Sequence, residues 1–574
     1  MFSFKKIFNI LGEFKSKIPF ISFIILFNSI LDVIGISLLP ILINIILTSQ
    51  NETYYLNSIK IDISSENFLG IFCLSVAIFF MIKSIISFFI NRNILSFAYS
   101  LRKKIILKII NNYMNLNFEN FFKKKSSDLI LNSVTHVGLF TDGVVLPMSR
   151  AISEILVVIG LFIILSIENY VSMLILMSII FFIFLIYFLI IRIRLFVYGK
   201  LMSSSEGNII KNLNYIVDGF REIKLLNKEN YFRNSIFKSL ETYESSGVNS
   251  RSIQLLPRYF FELAIVIFVM GLIYFSKQYN LIESENLITL LGLFVIASIR
   301  IIPSISTISL SISTMRSSAY AIEKLHVDLR EDKKKYLNLS GEHFDFHRFE
   351  TRNLSFKYES NSSETLDGIN FDFFSGEIIG LYGDSGSGKS TFIDIIIGLL
   401  NPSNGSLNIF DKNGVNILKK DKANIKLWQD KIAYIPQQTF LVDEDVQTNI
   451  SLEEDKKNID IKNLKYSLEK SLLEDIFNSN KDFSNKKIGE RGEFLSGGQR
   501  QRLAFARSLY TKRKIFVLDE ITSSLDKKTE KEIYNFIHSL KGEFTIIIIS
   551  HNINMLNICD RLYELKNKKI LIIK

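Results

Sequence analysis

Long apolar runs fill the first 320 residues of the chain, whereas the remainder alternates charged residues with short apolar strands. Six of these runs reach the length of about 20 residues that a helix needs to cross a bilayer. They lie near 19–48, 68–98, 144–167, 170–197, 255–276 and 287–314. The pattern predicts an α-helical transmembrane domain over 1–320, a linker over 321–347 and a soluble domain over 348–574.

The loops between the runs predict the orientation, because cytoplasmic loops carry an excess of Lys and Arg. The stretch before the first run is basic, as are 99–143 and 198–254, whereas 49–67 and 277–286 are neutral to acidic. Both termini are therefore expected in the cytoplasm. A short external helix is expected around Tyr54–Asn57.

Composition narrows the class of protein further. Much of the excess behind the formal net charge of +11 lies beside the predicted spans, so topology explains it and nucleic acid is not an expected partner. Cys73 and Cys559 fall in different compartments, so no disulfide is expected. Abundant Ile, Lys, Asn and Phe with scarce Ala favour a bacterial protein, and hence the inner membrane.

A glycine-rich loop follows an apolar strand in the soluble part and leads directly into a helical run. It consists of Gly383, Asp384, Ser385, Gly386, Ser387, Gly388, Lys389, Ser390 and Thr391. This is the P-loop pattern, in which backbone N–H groups and a helix N-terminus bind phosphates. Lys389 would reach the β- and γ-phosphates, and Ser390 would hold Mg²⁺. The loop predicts binding of ATP or a related nucleotide; a purely structural glycine turn is the alternative.

A second motif is the apolar strand 515–518, which ends in Asp519 and Glu520. Asp519 would hold Mg²⁺, and Glu520 would act as general base toward the attacking water. Such apolar-Asp-Glu strings are frequent. The position of this one, about 130 residues after the P-loop and beside the next motif, makes it informative.

The third motif comprises Leu495, Ser496, Gly497, Gly498 and Gln499, and it resembles the signature sequence of ATP-binding-cassette (ABC) proteins. Six spans followed by one cassette are similar to the exporter branch of that family. The resemblance implies an exporter-type six-helix membrane domain, then an α/β P-loop ATPase domain with an antiparallel β subdomain and an α-helical signature subdomain. It also implies that the signature faces ATP held by a second subunit, in a homodimer or a heterodimer.

The same resemblance assigns roles to further residues. Tyr358 would stack on adenine, Gln437 would contact Mg²⁺ and His551 would sense the γ-phosphate. The alternatives are a core aromatic for Tyr358 and an inert side chain for His551, since a lone histidine after a strand usually has no function. The loop expected to cross the dimer interface consists of Ser524, Leu525 and Asp526.

Charged residues inside the predicted spans are the main clue to a transported molecule, because charges at that depth are costly and usually functional. Lys83, Arg258 and Arg300 suit recognition of an anion such as phosphate. The alternative is internal pairing, of Asp32 with Lys83 and of Glu262 with Arg258, four residues apart on one helix face. Arg300 has no evident partner in the sequence, so a net positive cavity is expected in either case.

These span residues are similar to those of lipid-linked oligosaccharide flippases. The expected function is ATP-driven export or flipping of an amphipathic anionic substrate, with a polyprenyl-pyrophosphate-linked oligosaccharide as the leading candidate. A generic exporter of lipid, drug or peptide is the alternative. A channel or sensor would be favoured by an impaired ATP site, but the catalytic residue types are all present. Segments Glu119–Ser127 and Asp218–Leu225 are expected to dock on the cassettes.

Overall fold

The chain divides into two compact units. The computed structural model describes residues 4–48, 53–56, 59–62, 68–168, 170–279, 284–329, 344–359, 363–420, 425–473, 487–521, 527–551 and 553–574. One unit comprises Met1–Leu116 and Phe121–Lys333, and the other comprises Asn117–Asn120 and Lys334–Lys574. The small segment at 117–120 therefore groups with the second unit.

The first unit is predominantly helical, and six long helices follow the six apolar runs. The helices up to residue 328 are α1 (Phe4–Leu11), α2 (Ile18–Thr48), α3 (Phe68–Met114), α4 (Phe118–Phe122), α5 (Ser126–Ile130), α6 (Val137–Phe140), α7 (Leu146–Glu168), α8 (Tyr170–Asp218), α9 (Phe220–Leu225), α10 (Glu229–Tyr279), α11 (Ser284–Ser317) and α12 (Ala319–Asp328). Short 3₁₀ or π-helical segments lie at Gly12–Lys17, Leu131–His136 and Thr141–Val145.

Within the described residues, five helical stretches are long and apolar enough to cross a membrane. They are Lys5–Leu38, Gly70–Met114, Ser126–Ile167, Tyr170–Leu189 and Glu229–Phe275. The sixth predicted span coincides with α11, a helix of 34 residues whose side chains are described only in part. Large apolar side chains point outward from the bundle; Phe23 and Ile71, for example, are each 66% exposed. Such a surface is stable against lipid rather than water.

Two expectations about the connecting segments differ from the structure. The expected external helix at Tyr54–Asn57 is wrong, because Thr53–Leu56 (β1) and Ile59–Asp62 (β2) form an antiparallel pair. Tyr and β-branched residues in this segment favour extended backbone. The segment predicted as a linker, 321–347, is helical at its start, because it contains most of α12. This helix buries Ile322 and Leu325 in the first unit. Residues 330–343 lie outside the described residues.

The second unit contains two sheets. Its strands are β3 (Phe346–Phe356), β4 (Leu366–Phe374), β5 (Ile378–Tyr382), β6 (Asn404–Asp411), β7 (Ile432–Ile435), β8 (Ile515–Asp519), β9 (Thr545–Ile549), β10 (Arg561–Lys566) and β11 (Lys569–Ile572). Strands β4-β3-β6 form an antiparallel sheet, and β11-β10-β5-β9-β8-β7 form a second sheet that is parallel except for β11. The parallel strands are almost continuously apolar, as burial on both faces requires.

An aromatic core joins the antiparallel sheet to the helix that follows the P-loop. Phe349 stacks on Phe373 and on Trp428, with ring centroids 4.9 Å and 5.6 Å apart. Trp428 is fully buried, and its Nε1 donates to the Ile396 carbonyl oxygen at 2.6 Å. Ile396 is the last residue of the P-loop helix, so this core fixes where that helix ends.

The helices of the second unit are α13 (Lys389–Ile396), α14 (Ile417–Lys420), α15 (Ile425–Gln429), α16 (Val446–Ser451), α17 (Ile461–Lys470), α18 (Gly497–Tyr510), α19 (Lys527–Ser539) and α20 (Ile553–Leu556). Helices α16, α17 and α18 share a core of their own, around Ile450, Leu464 and Leu503. The expected antiparallel β subdomain and α-helical signature subdomain are thus both present.

Candidate active site

The edge of the parallel sheet brings the catalytic motifs together. The P-loop follows β5, Glu520 follows β8 and His551 follows β9, and these three strands are neighbours. Because the carboxyl ends of parallel strands meet at one edge, motifs from distant parts of the sequence converge there.

The P-loop backbone needs glycine where it turns into α13. Gly388 has φ +106°, and a Cβ at this position would lie 2.9 Å from Leu366 Cδ2 and 3.3 Å from the Thr365 carbonyl oxygen. A larger residue would therefore suffer both backbone strain and a clash. Helix α13 begins at the next residue, so its N-terminal N–H groups are available to an anion.

The Lys389 ammonium lies across the loop. Its Nζ donates to the carbonyl oxygens of Gly383 at 2.6 Å and Asp384 at 2.8 Å. Burial lowers the pKa of Lys389, and the negative charges of Glu520, Asp384 and Asp519 oppose this effect. A phosphate would offer the ammonium a charged acceptor in place of two carbonyl groups.

A buried hydroxyl in the same loop supports a phosphate ligand. Ser387 Oγ is buried and lacks a hydrogen-bond partner among the described residues. An unpaired buried hydroxyl costs free energy, and a phosphate oxygen is a suitable acceptor for it. Ser390 is exposed beside it, where a hydroxyl ligand for Mg²⁺ is expected.

Glu520 is held by the two other residues predicted to act with it. Gln437 Nε2 donates to Glu520 Oε2 at 3.2 Å, and His551 Nε2 lies 3.2 Å from Glu520 Oε1. Glu520 has φ +48°, which is uncommon for a residue with a side chain, and its N–H donates to the Ile549 carbonyl oxygen at 3.0 Å. A strained backbone held in this way is a frequent feature of functional sites.

Asp519 has neighbours that the sequence did not indicate. The Tyr434 hydroxyl donates to Asp519 Oδ2 at 2.9 Å, from the adjacent strand β7. Burial raises the pKa of Asp519, and this hydrogen bond opposes the shift. Burial, assisted by the charge of Asp519, also raises the pKa of Asp394 to about 6. Strand pairing was the only signal that could have identified Tyr434, and it requires the sheet order.

The donor set fits a Mg²⁺ ion that is shared with nucleotide. Asp519 and Ser390 offer the oxygen ligands that Mg²⁺ prefers, and Gln437 offers an amide oxygen. The described residues contain no cluster of three or more His, Cys, Asp or Glu side chains that could hold a metal. An ion at this position would therefore depend on phosphate oxygens for much of its coordination, as Mg²⁺ commonly does.

The signature motif opens α18 with a reciprocal cap. Gln499 N donates to Ser496 Oγ at 3.2 Å, and Ser496 N donates to Gln499 Oε1 at 2.8 Å. Leu495 is buried and anchors the turn, whereas Ser496 is exposed. Because Ser496 Oγ acts as an acceptor in this cap, its proton is available to an external acceptor.

Two further predicted elements have different outcomes. Tyr358 is half-buried; its ring contacts Phe356 at 4.9 Å between centroids, and its hydroxyl lies 3.1 Å from Thr391 Oγ1. This position is compatible with both readings, adenine stacking and core packing. The expected dimer-interface loop, Ser524, Leu525 and Asp526, lies outside the described residues.

The three cations predicted to contact a substrate, Lys83, Arg258 and Arg300, are all paired with carboxylates. Lys83 Nζ lies 2.7 Å from Asp32 Oδ1, and Arg300 Nη2 lies 3.4 Å from Asp32 Oδ2. Arg300 Nη2 also lies 3.5 Å from Glu154 Oε2, which accepts a hydrogen bond from Ser304 Oγ at 2.7 Å. The expectation that Arg300 lacks a partner is therefore wrong.

These four charges, here called the intramembrane cluster (Asp32, Lys83, Glu154 and Arg300), cancel one another. The expected net positive cavity is thus not formed by these residues. Sequence reasoning overlooked Glu154, although it lies inside the third predicted span. In the fifth predicted span, Arg258 Nε lies 2.9 Å from Glu262 Oε1. This is the internal pairing that one of the two alternatives predicted. Whether Lys83, Arg258 and Arg300 contact a substrate stays a prediction.

Comparison with known proteins supports this architecture. Residues 18–302 match the family described as ABC transporter transmembrane region, and residues 366–523 match the ABC transporter family. An ATP-dependent lipid A-core flippase from Ralstonia nicotianae is 30% identical over 233 residues, which are 40% of this chain and 38% of that protein. A probable ABC transporter ATP-binding/permease protein from Haemophilus influenzae is 26% identical over 359 residues, 62% of each chain.

The chain thus matches less than two thirds of the length of these relatives. A solved structure of a bacterial Atm1-family ABC exporter with ATP bound superposes with a TM-score of 0.78 at 15% identity, covering 97% of this chain and 95% of that one. This likeness concerns the fold. Since a transmembrane region and an ATP-binding cassette follow one another in one polypeptide, the chain belongs to the ABC transporter family as a half-transporter of exporter-type fold.

Proposed function

We propose that this protein hydrolyses ATP to export or flip an amphipathic molecule across a bacterial inner membrane, with both termini in the cytoplasm. The observation that carries the proposal is the contact of Glu520 with both Gln437 and His551, at the same sheet edge as Lys389. All the side chains that hydrolysis requires are present, which argues against a channel or sensor with an impaired cassette.

The proposed chemistry is in-line attack of water on the γ-phosphorus of ATP. Glu520 accepts the proton of the attacking water while the bond from the γ-phosphorus to the ADP oxygen breaks, so that ADP and phosphate leave. His551 and Gln437 orient the carboxylate, and Lys389 stabilises negative charge on the phosphates. Mg²⁺, held by Ser390, Asp519 and Gln437, would neutralise phosphate charge.

The proposed assembly is a dimer, either of two identical chains or of two related ones. The Ser496 cap presents a hydroxyl proton and helix N–H groups at an exposed helix start. In the proposed dimer this group completes the nucleotide site of the partner, so that a single chain would not hydrolyse ATP. The interface loop at 524–526 belongs to the same proposal.

Motion of the cassettes is proposed to reach the membrane helices through short helices. In the second unit, Phe118 packs against the aromatic core, and Glu359 N donates to Glu119 Oε1 at 3.4 Å. These contacts support a coupling role for Glu119–Ser127. Helix α9, within Asp218–Leu225, is the second proposed coupling segment, and both would drive alternating access.

The proposed substrate is a polyprenyl-pyrophosphate-linked oligosaccharide, and a generic lipid, drug or peptide is the alternative. Among the described residues, Arg300 contacts both carboxylates through Nη2, and its side chain is 32% exposed, so its other N–H donors are available to a phosphate. The substrate phosphate would have to compete with Asp32 and Glu154. Similarity to the lipid A-core flippase of Ralstonia nicotianae favours an amphipathic substrate.

The ATPase proposal is tested by Glu520→Gln in purified protein. We expect nucleotide binding to persist and hydrolysis to fall at least about 100-fold, as loss of a general base implies. Glu543→Gln is the matched control, because Glu543 lies in the same unit in an exposed pair with Lys514, 3.6 Å apart. Hydrolysis at the wild-type rate by the Glu520 variant would contradict the proposal.

The substrate proposal is tested in reconstituted vesicles with Arg300→Ala. We expect ATPase activity without substrate to persist and ATP-driven movement of a pyrophosphate-linked glycan to be lost. Lys104→Ala is the control, because Lys104 lies outside the predicted spans in an exposed pair with Glu13, 3.1 Å away. Unchanged glycan movement in the Arg300 variant would reject pyrophosphate recognition while leaving the ATPase proposal intact.

A further inference from the structure

A narrow apolar cavity of about 110 Å³ lies in the first unit, between the N-terminal helix α1 and the long helices α2, α3 and α7. Twelve of its fourteen lining residues are apolar, and the other two are Ser22 and Ser149. Side chains such as Ile7, Ile25 and Val144 form its buried wall, at 3%, 3% and 0% exposure. The described residues give it no charged lining group.

The depth of the cavity follows from where its lining residues lie on the spans. Ile18–Ile25 form the first two turns of α2, or roughly 10 Å of helix. Ile94 and Phe97 lie at the end of the second predicted span, and 144–152 open the third. All three span ends adjoin basic segments, so they belong to the cytoplasmic side. The cavity therefore lies where headgroups give way to acyl chains.

One side of the cavity is open. Phe8 is 44% exposed and Ile152 is 38% exposed, although both belong to its lining. At this depth an exposed apolar surface meets the hydrocarbon of the bilayer. An unbranched acyl chain can therefore enter from the surrounding lipid without crossing a polar barrier.

The flanks of the cavity carry a surplus of positive charge. Lys17 directly precedes the lining residue Ile18, and Arg150 directly follows Ser149. Within the described part of the chain, neither Lys17 nor Arg150 has a carboxylate within ion-pair distance. The acids nearby are already paired: Glu13 Oε2 lies 3.1 Å from Lys104 Nζ. Asp142 Oδ2 likewise lies 3.3 Å from Arg102 Nη1.

We propose that this cavity binds a short segment of one acyl chain of an anionic glycerophospholipid from the cytoplasmic leaflet. The phosphate of this lipid binds the cationic flank formed by Lys17 and Arg150. Basic groups at the cytoplasmic surface attract anionic lipids in this way. The bound segment fills the space between α1 and the three spans.

The test is native mass spectrometry of the intact protein in mild detergent, titrated with phosphatidylglycerol or phosphatidylcholine. Ser149→Phe fills the cavity, and Ser166→Phe is the matched control on the same helix. Both serines donate to the carbonyl oxygen three residues earlier, at 2.8 Å and 2.7 Å, so both variants lose the same hydrogen bond. We expect Ser149→Phe to weaken phosphatidylglycerol binding at least tenfold and Ser166→Phe to leave it unchanged. Equal binding by the two variants would overturn the proposal.

A second set of experiments tests the lipid headgroup and the acyl chain separately, and it does not depend on whether Ser149→Phe folds. Lys17→Gln with Arg150→Gln should bring phosphatidylglycerol affinity down to that of phosphatidylcholine. In the wild-type protein, phosphatidylglycerol with a photoreactive acyl chain should label peptides within 7–25 and 144–152. Labelling confined to other segments would refute the site, and equal wild-type affinity for the two lipids would refute the anionic headgroup.

Discussion

Asp32 is the residue on which the intramembrane cluster depends most, because its two oxygens contact two different cations. Its side chain is 15% exposed, as is that of Lys83, and Arg300 is 32% exposed. Asp32→Asn would leave Lys83 without its carboxylate partner and Arg300 with Glu154 alone. Breaking a buried ion pair by removing one partner costs about 3–5 kcal/mol.

We expect the lower end of that range, about 3 kcal/mol, because the cluster retains some exposure and one carboxylate remains. With an unfolding entropy of about 2.1 cal/mol/K per residue, a loss of this size lowers the melting temperature of the first unit by roughly 4 °C. The assay is loss of helical circular dichroism on heating, in protein purified into nanodiscs. Glu13→Gln is the control: its pair with Lys104 is exposed, at 88% and 61%, and is worth no more than about 1 kcal/mol.

A double variant distinguishes charge imbalance from a general loss of packing. Asp32→Asn combined with Lys83→Met removes both partners of the shortest pair, and such replacement is often neutral. Much of the lost stability should therefore return. The reasoning fails if Asp32→Asn melts at the same temperature as the Glu13→Gln control, or if the double variant is less stable than the single one.

Three further predictions concern the cassette. Asp394 has a pKa raised to about 6 from an ordinary 3.8, so wild-type stability should fall as pH rises from about 4 to 6. Asp394→Asn should remove this loss and be more stable at pH 7.5 by of order 1 kcal/mol, with no gain at pH 4, as measured by thermal unfolding. Tyr434→Phe removes the hydrogen bond that the tyrosine hydroxyl donates to Asp519. Loss of a hydrogen bond worth about 1 kcal/mol predicts a roughly fivefold rise in the Mg²⁺ concentration needed for half-maximal ATPase activity. An unchanged Mg²⁺ concentration would argue against that contact. Gly388→Ala places a Cβ 2.9 Å from Leu366 Cδ2, so ATP binding measured by calorimetry should be lost while the circular dichroism spectrum is retained.

The sequence predicted which catalytic motifs meet at the edge of the parallel sheet, because each motif can be recognised from the residues immediately around it. Gly383 and Glu520 directly follow apolar strands and His551 comes two residues after one, and parallel strands align their carboxyl ends without further information. Six apolar runs likewise predicted six long helices, since length and composition decide whether a segment can span a membrane.

The pairing of the membrane charges was beyond the reach of the sequence. Arg300 meets Asp32 across 268 positions, and Ser304 meets Glu154 across 150. Such contacts depend on how each helix is rotated about its own axis, and helices that are apolar on every face carry little periodic signal for that rotation. Tyr434 was missed for a related reason, since its contact with Asp519 depends on which strands are neighbours.

The protein has a single tryptophan, and the contact of that residue with the P-loop helix makes it a built-in optical reporter. Trp428 emission arises from the cassette alone, because no other tryptophan exists in the chain to contribute. Its indole N–H is tied to the end of α13, so a shift of that helix on nucleotide binding would change the polarity that the ring senses. Nucleotide occupancy can therefore be followed by ultraviolet fluorescence in unlabelled purified protein, including protein reconstituted into lipid vesicles.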